Sequence, residues 1–238
     1  MSAQPDYHYP NGRILLFAKA PVPGEVKTRL AAGIGEQAAA TLYEQLLRDT
    51  LGMAVRARLA PVELHIASPT CPPFFLSLAE RQPVEVRLQE GADLGRRMCN
   101  AIQAALRTGD FALLIGTDCP VMTAAYLQRA CQQLDAGSAV VLGPAEDGGY
   151  VLIGARSCDE LLFTDIPWSS DRVLQLTRAR LQALKLPYSE LDTLWDLDRL
   201  EDLRRWRTTV GDCAAGMRKF ADISLRDRRR HEPREVRR

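Results

Sequence analysis

Ile14-Leu-Leu-Phe-Ala18 runs directly into Lys19-Ala-Pro-Val-Pro-Gly-Glu-Val-Lys-Thr-Arg-Leu30. The apolar pentad reads as a buried strand. It empties into a loop stiffened by Pro21 and Pro23, loosened at Gly24 and carrying Lys19, Lys27 and Arg29. Proline fixes φ and removes a donor, whereas glycine lets backbone approach a ligand closely. A basic loop at the carboxyl end of a first strand is where open α/β sheets take phosphorylated ligands. Ala18, Lys19, Lys27, Thr28 and Arg29 are therefore candidates for binding nucleotide and phosphate. The alternative is a solvated surface loop.

Outward from this stretch, apolar runs alternate with amphipathic segments. That rhythm predicts a mostly parallel sheet with helices on both faces. Strands are expected over 13–18, 62–67, 84–88, 111–115, 139–142 and 150–154, with a short late one over 188–191. A helix over about 35–56 carries Ala39, Leu42, Leu46 and Met53 on one stripe, with Tyr43, Leu47, Leu51 and Ala54 beside it. Asp93 and Thr123 are expected N-caps, and Ser170 or Asp171 opens a further helix. Asp198-Arg-Leu-Glu201 has the form of a capping box for the last helix. Gly143-Pro-Ala-Glu-Asp-Gly-Gly-Tyr150 joins two apolar runs through a connection too short for a parallel crossover. A hairpin or bulge is expected here, and the sheet becomes mixed.

The 238 residues suffice for one large α/β domain. A single domain over 13–225 is the expectation, with an extension over 1–12 and a basic, disordered tail over 226–238. The net charge of +1 gives no global field for nucleic acid. No signal peptide is visible, and no apolar run approaches the roughly 20 residues that span a bilayer. Six scattered cysteines without a Cys-x-x-Cys pair suit a reducing cytoplasm.

Five segments carry candidate chemistry. Asp118, in Gly116-Thr-Asp-Cys-Pro120, ends a very apolar strand. A carboxylate there needs a cation or donors. It either binds magnesium or manganese on a phosphorylated ligand, or caps a turn before Pro120. Glu146 and Asp147 either orient or deprotonate an acceptor, or make Asx-turn contacts beside Gly148 and Gly149. Asp196 and Asp198 alternate on an extended segment and so face one way. They either share a cation, or Asp198 caps the next helix. Gln89 and Arg97 flank the start of a helix after a strand, where Gln89 can read a base edge and Arg97 can meet phosphate. Trp168 either walls an acceptor pocket with Gly148, Gly149 and Tyr150, or packs in the core. Neither a dinucleotide fingerprint after the first strand nor a P-loop is present.

In order, these segments resemble a bacterial family of glycosyltransferase-like proteins in the nucleotide-diphospho-sugar transferase (GT-A) superfamily. Its members are labelled radical-SAM/selenodomain-associated transferases or arsenosugar-biosynthesis glycosyltransferases. The resemblance covers roughly residues 13–205 and rests on Phe17 to Leu30, Asp93-Leu-Gly-Arg-Arg-Met98, Gly116 to Pro120, Gly143 to Tyr150 and Ile166-Pro-Trp-Ser169. It implies a single-domain GT-A fold with a mixed, mostly parallel central sheet. It also implies phosphate binding by Lys27 and Arg29, and a Mg2+ or Mn2+ ion on Asp118 with Asp198, or Asp196 in reserve. The activity implied is glycosyl transfer from a nucleotide sugar to a small-molecule acceptor. Nucleotidyl transfer from a nucleoside triphosphate, releasing pyrophosphate, and non-catalytic nucleotide binding are the alternatives.

Overall fold

A computed structural model describes residues 6–210. The expected basic tail over 226–238 and Cys213 lie outside the described residues. Seven strands form one sheet in the order β3-β2-β1-β4-β6-β5-β7. They are β1 (Gly12–Ala18), β2 (Val62–Ile66), β3 (Val84–Leu88), β4 (Phe111–Ile115), β5 (Val140–Pro144), β6 (Tyr150–Ala155) and β7 (Tyr188–Glu190). β6 lies antiparallel to both β4 and β5, and every other pairing is parallel. The sheet is thus mixed at the expected place. β5 and β6 form a hairpin with a register shift at Gly143/Pro144. Proline cannot donate to a ladder, so it is tolerated at such an irregularity.

The central strands are buried because helices cover both faces. β2, β4 and β5 are buried along their whole length, which explains the near-continuous apolar sequences of β4 and β5; β2 instead alternates, with Glu63 and His65 between its apolar residues. Leu15, Ala112, Leu114, Leu142 and Ile153 pack with Met98 and Ile102 of α4 (Leu94–Leu106) and Leu174 and Leu181 of α6 (Val173–Ala183). α5 (Ala124–Asp135) covers the opposite face, where Leu134 meets Gly154. The edge strand β3 is partly exposed and charged, a composition that discourages further pairing.

Local signals set the helix boundaries. Asp93 accepts from the Arg96 amide and Thr123 from the Tyr126 amide, both as expected. Two expectations are corrected. α6 begins after Arg172 with no side-chain cap, while Ser170 Oγ accepts from Arg172 N at 3.4 Å. At α7 (Leu200–Val210), Asp202 and not Glu201 reaches back, accepting from the amides of Asp198 and Arg199. The carboxylate must lie three residues past the cap, and Arg199 directly precedes the helix. Two short helices escaped the sequence reading, α1 (Thr28–Ile34) and α3 (Pro73–Ala79), while the long helix is α2 (Glu36–Ala57).

Among the described residues, 6–20 with 47–196 form one compact unit and 21–46 with 197–210 a second. The first holds the whole sheet. In the second, α1 packs against α7, with Gly33 close to Leu200.

A buried polar cluster sits inside the first unit. Glu63 on β2 meets His65 at 3.0 Å, Arg87 at 2.9 Å and Arg13 at 3.8 Å. Burial pushes the Glu63 carboxyl up, but the hydrogen bond with His65 and the two guanidinium groups more than offset this, so its pKa is lowered. Its contribution to stability is therefore complete above the ordinary value of 4.5 and is lost as the pH falls through the lower folded value. Glu63→Gln is expected to cost about 2 kcal/mol near neutrality, by weakening the charge-assisted contacts of this buried carboxylate with buried His65 and with Arg13 and Arg87. Urea unfolding at pH 7 and pH 3 measures this: the penalty shrinks in acid, and an equal penalty at both pH values would refute it.

Candidate functional site

The parallel strands of the first unit all present their carboxyl ends at one edge of the sheet, as their register requires. Lys19 follows β1, Gln89 follows β3, Asp118 follows β4, Glu146 and Asp147 follow β5, and Asp196 lies beyond β7. Seven-strand topology thus gathers candidates that are far apart in sequence onto one rim.

Asp118 is only partly exposed, and its Oδ1 atom is buried. The neighbouring Thr117 and Cys119 are buried side chains. Burial, and then the nearby Asp196 carboxylate, push the Cys119 thiol up to about 12. Cys119 is therefore a packing residue, since its thiolate is unavailable at neutral pH. The Asp196 carboxylate thus acts on the residue that follows Asp118. A backbone bridge between Ala145 and Leu194 brings the segment before Asp196 beside the Glu146-Asp147 loop, and Glu146 N donates to Leu194 O at 2.9 Å.

The hairpin tip is tightly supported. Asp147 Oδ1 accepts from Gly149 N at 2.9 Å, the Asx-turn contact that was one of its two readings. One carboxylate oxygen thus shapes the turn. Gly148 has φ +87°, and a Cβ there would lie 2.1 Å from the Asp171 carbonyl oxygen. Its own carbonyl accepts from Leu174 N at the start of α6. Trp168 stacks on Phe163 at 6.4 Å and meets Tyr150 edge-on at 6.5 Å. The indole lies so close to Gly95 that a Cβ there would come within 2.5 Å of Nε1. Trp168 thus packs against the core cluster, beside Tyr150. The Tyr150 hydroxyl is buried, which pushes its pKa up.

The other candidates have defined partners. Gln89 Nε2 donates to His65 O at 3.0 Å, and Arg97 Nε donates to Gly91 O at 3.1 Å. Arg96 pairs with Glu160, which the sequence did not signal. In the second unit, Lys27 takes a left-handed conformation at the start of α1, with φ 49°. Its ammonium is buried and binds Asp198 Oδ1 at 2.7 Å. Asp198 is thus neither a helix cap nor a bystander: it holds Lys27, and it remains 40% exposed. Thr28 and Arg29 begin α1 and are exposed.

Among the described residues, no three His, Cys, Asp or Glu side chains group so as to hold a metal ion. Magnesium and manganese sites on phosphate ligands need no such cage, since one or two carboxylates suffice and phosphate oxygens and water fill the rest. Asp118 and Asp196, both near the rim, fit that donor set. No helix among the described residues is long and apolar enough to cross a membrane.

A mixed seven-stranded sheet, helices on both faces and a rim of acidic and basic loops define the α/β fold of nucleotide-diphospho-sugar transferases. The chain belongs to the family described as "Uncharacterized protein conserved in bacteria (DUF2064)", whose profile matches residues 50–170. It is also similar to a protein from Desulfovibrio desulfuricans G20 whose crystal structure is assigned as a nucleotide-diphospho-sugar transferase. The two share 30% identity and a TM-score of 0.82, over 90% of this chain and 97% of that one. A cytidylyltransferase from Leptospira borgpetersenii has the same fold at 14% identity and a TM-score of 0.56, over 92% of this chain and 98% of that one. So does a 4-diphosphocytidyl-2C-methyl-D-erythritol synthase from Anaerococcus prevotii, at 10% identity and a TM-score of 0.54, over 84% and 98%. No curated protein matches the chain.

Proposed function

We propose that this protein is a transferase that moves a glycosyl group from a nucleotide-diphosphate sugar to a small-molecule acceptor. The observation that carries the reading is Asp118, a carboxylate with a buried oxygen at the rim of the central strand β4. The assignment of the Desulfovibrio protein, 30% identical over nearly its whole length, supports it.

In this reading, Asp118 holds a divalent ion with Asp196, and Asp198 orients Lys27. When bound, a magnesium or manganese ion supplies neutralising charge to a diphosphate. Lys19, with backbone at Ala18, is a phosphate ligand of the first unit, and Lys27, Thr28 and Arg29 are phosphate ligands of the second. Each well-placed donor of this kind is worth about 3 kcal/mol when charge develops on the leaving group. Gln89 meets the base and Arg97 adds positive charge. Glu146 or Asp147 orients the acceptor hydroxyl and takes its proton. Gly148, Gly149, Tyr150 and Trp168 wall the acceptor, the aromatic pair offering faces to an apolar sugar surface.

The test is a thermal-shift screen of nucleoside diphosphates, triphosphates and sugar nucleotides, with and without manganese, followed by product analysis. A ligand at a hundredfold its Kd adds about 2.7 kcal/mol, or several degrees in Tm. Metal-dependent stabilisation by a sugar nucleotide and release of a nucleoside diphosphate are expected. Pyrophosphate release would instead identify a nucleotidyltransferase. Stabilisation by none of these ligands would overturn both readings.

A further inference from the structure

Two thiols outside the rim lie against each other. Cys99 Sγ, on α4, is 3.5 Å from Cys158 Sγ, in the segment that follows β6, and the residues are 59 positions apart. Both are free cysteines. Cys99 is buried, whereas Cys158 is partly exposed and lines a surface cavity of about 280 Å3. Arg107 and Arg156 line the same cavity. The segment carrying Cys158 is already fastened to α4, since Arg96 on that helix pairs with Glu160. A disulfide needs sulfurs about 2.05 Å apart, so closure asks for a shift of about 1.5 Å between groups that already touch.

We propose that Cys99 and Cys158 form an oxidisable dithiol, in which Cys158 reacts with an anionic small-molecule disulfide docked against Arg107 and Arg156, and Cys99 then resolves the product. Cys158 loses its proton, and its thiolate attacks one sulfur of the small disulfide. A protein–small-molecule mixed disulfide forms, and one small thiolate leaves and takes up a proton. The Cys99 thiolate then attacks the Cys158 sulfur and expels the second small thiol. Two protein thiols are oxidised, one small disulfide is reduced to two thiols, and a Cys99–Cys158 disulfide remains. The order follows from access: the partly exposed sulfur reacts first and the buried one closes the bond. Burial pushes both thiols up, and the acidic groups Asp159 and Glu160 add to this, with Arg96 opposing it at Cys99. The reaction is accordingly slow at neutral pH, with a rate that rises roughly tenfold per pH unit as the thiolate fraction grows.

Incubating the full chain with glutathione disulfide, an anionic probe, and in parallel with cystamine, a cationic one, tests this by mass spectrometry. Glutathione disulfide is expected to yield a Cys99–Cys158 cross-linked peptide, a mass lower by two hydrogens, and a Tm higher by about 5 °C or more. Cys99→Ser is expected to stop at one glutathionyl group on Cys158, and Cys99→Ala serves if the buried serine prevents folding. Cys158→Ser is expected to acquire no adduct at Cys99. Arg107→Ala should slow the glutathione reaction about tenfold and leave the cystamine reaction unchanged. Recovery of both thiols intact after prolonged treatment at pH 9 would overturn the dithiol. Cystamine reacting as fast as glutathione disulfide would overturn the arginine docking.

Discussion

Asp118→Ala is expected to lower turnover by at least about 1000-fold while leaving the fold in place. A metal-held charge at a phosphoryl or diphosphate group is worth several kcal/mol, and each 1.36 kcal/mol is a factor of ten in rate. The fold should survive because β4 is anchored elsewhere. Its five residues are buried along their length, and they pair with β1 on one side and β6 on the other. Circular dichroism and the unfolding midpoint check the fold. Kinetics with the nucleotide found by thermal shift check the chemistry. The manganese-dependent part of that thermal shift should vanish in the variant while any metal-independent part persists. Wild-type turnover in Asp118→Ala, or an unchanged response to manganese, would remove the metal role from this residue.

Gly148→Ala is expected to cost about 2–4 kcal/mol of stability. Two independent penalties combine at this hairpin tip. The residue sits at φ +87°, where an L side chain is strained. An added Cβ would also meet the Asp171 carbonyl at 2.1 Å, and backbone cannot swing aside as a flexible side chain can. Gly149→Ala is the control. Its Cβ would come 3.2 Å from Asp147 Oδ1, a side-chain atom able to give way, so a loss under about 1 kcal/mol is expected. Urea unfolding of the two variants measures the contrast. Equal, small losses would show that the tip does not depend on the Asp171 segment. If the acceptor is walled by this hairpin, Gly148→Ala should also raise KM for it more than for the nucleotide.

Much of the scaffold was legible along the chain. β3 and β4 fall at their expected residues, and Asp93 and Thr123 cap the helices they precede. The turn-rich run from Gly143 to Tyr150 announced the hairpin that makes the sheet mixed. α3 carried a signal as well: Pro72-Pro73 precede Phe74 and Phe75, and proline at a first helical position is a start signal. α1 carried little, because it is only seven residues long and follows Lys27, which offers no side-chain cap. Part of the candidate rim was legible, since Lys19, Asp118, Glu146 and Asp147 stand shortly past apolar runs. Their partners were not. The basic loop marks Lys27 as a phosphate ligand, but its burial against Asp198, 171 residues away, has no local signature.

The sequence by itself determined the alternation of strands and helices, the Asp93 and Thr123 caps, the mixed sheet and the identity of the acidic and basic loops. These depend on hydrophobic period, turn chemistry and capping, all of which act within a few residues. Only the tertiary structure decided that Asp196 acts on Cys119, that Asp198 holds Lys27, that Asp171 braces Gly148 and that Cys99 touches Cys158. Strand order and side-chain packing create such contacts, and apolar strands of similar composition do not encode their order in any one of them.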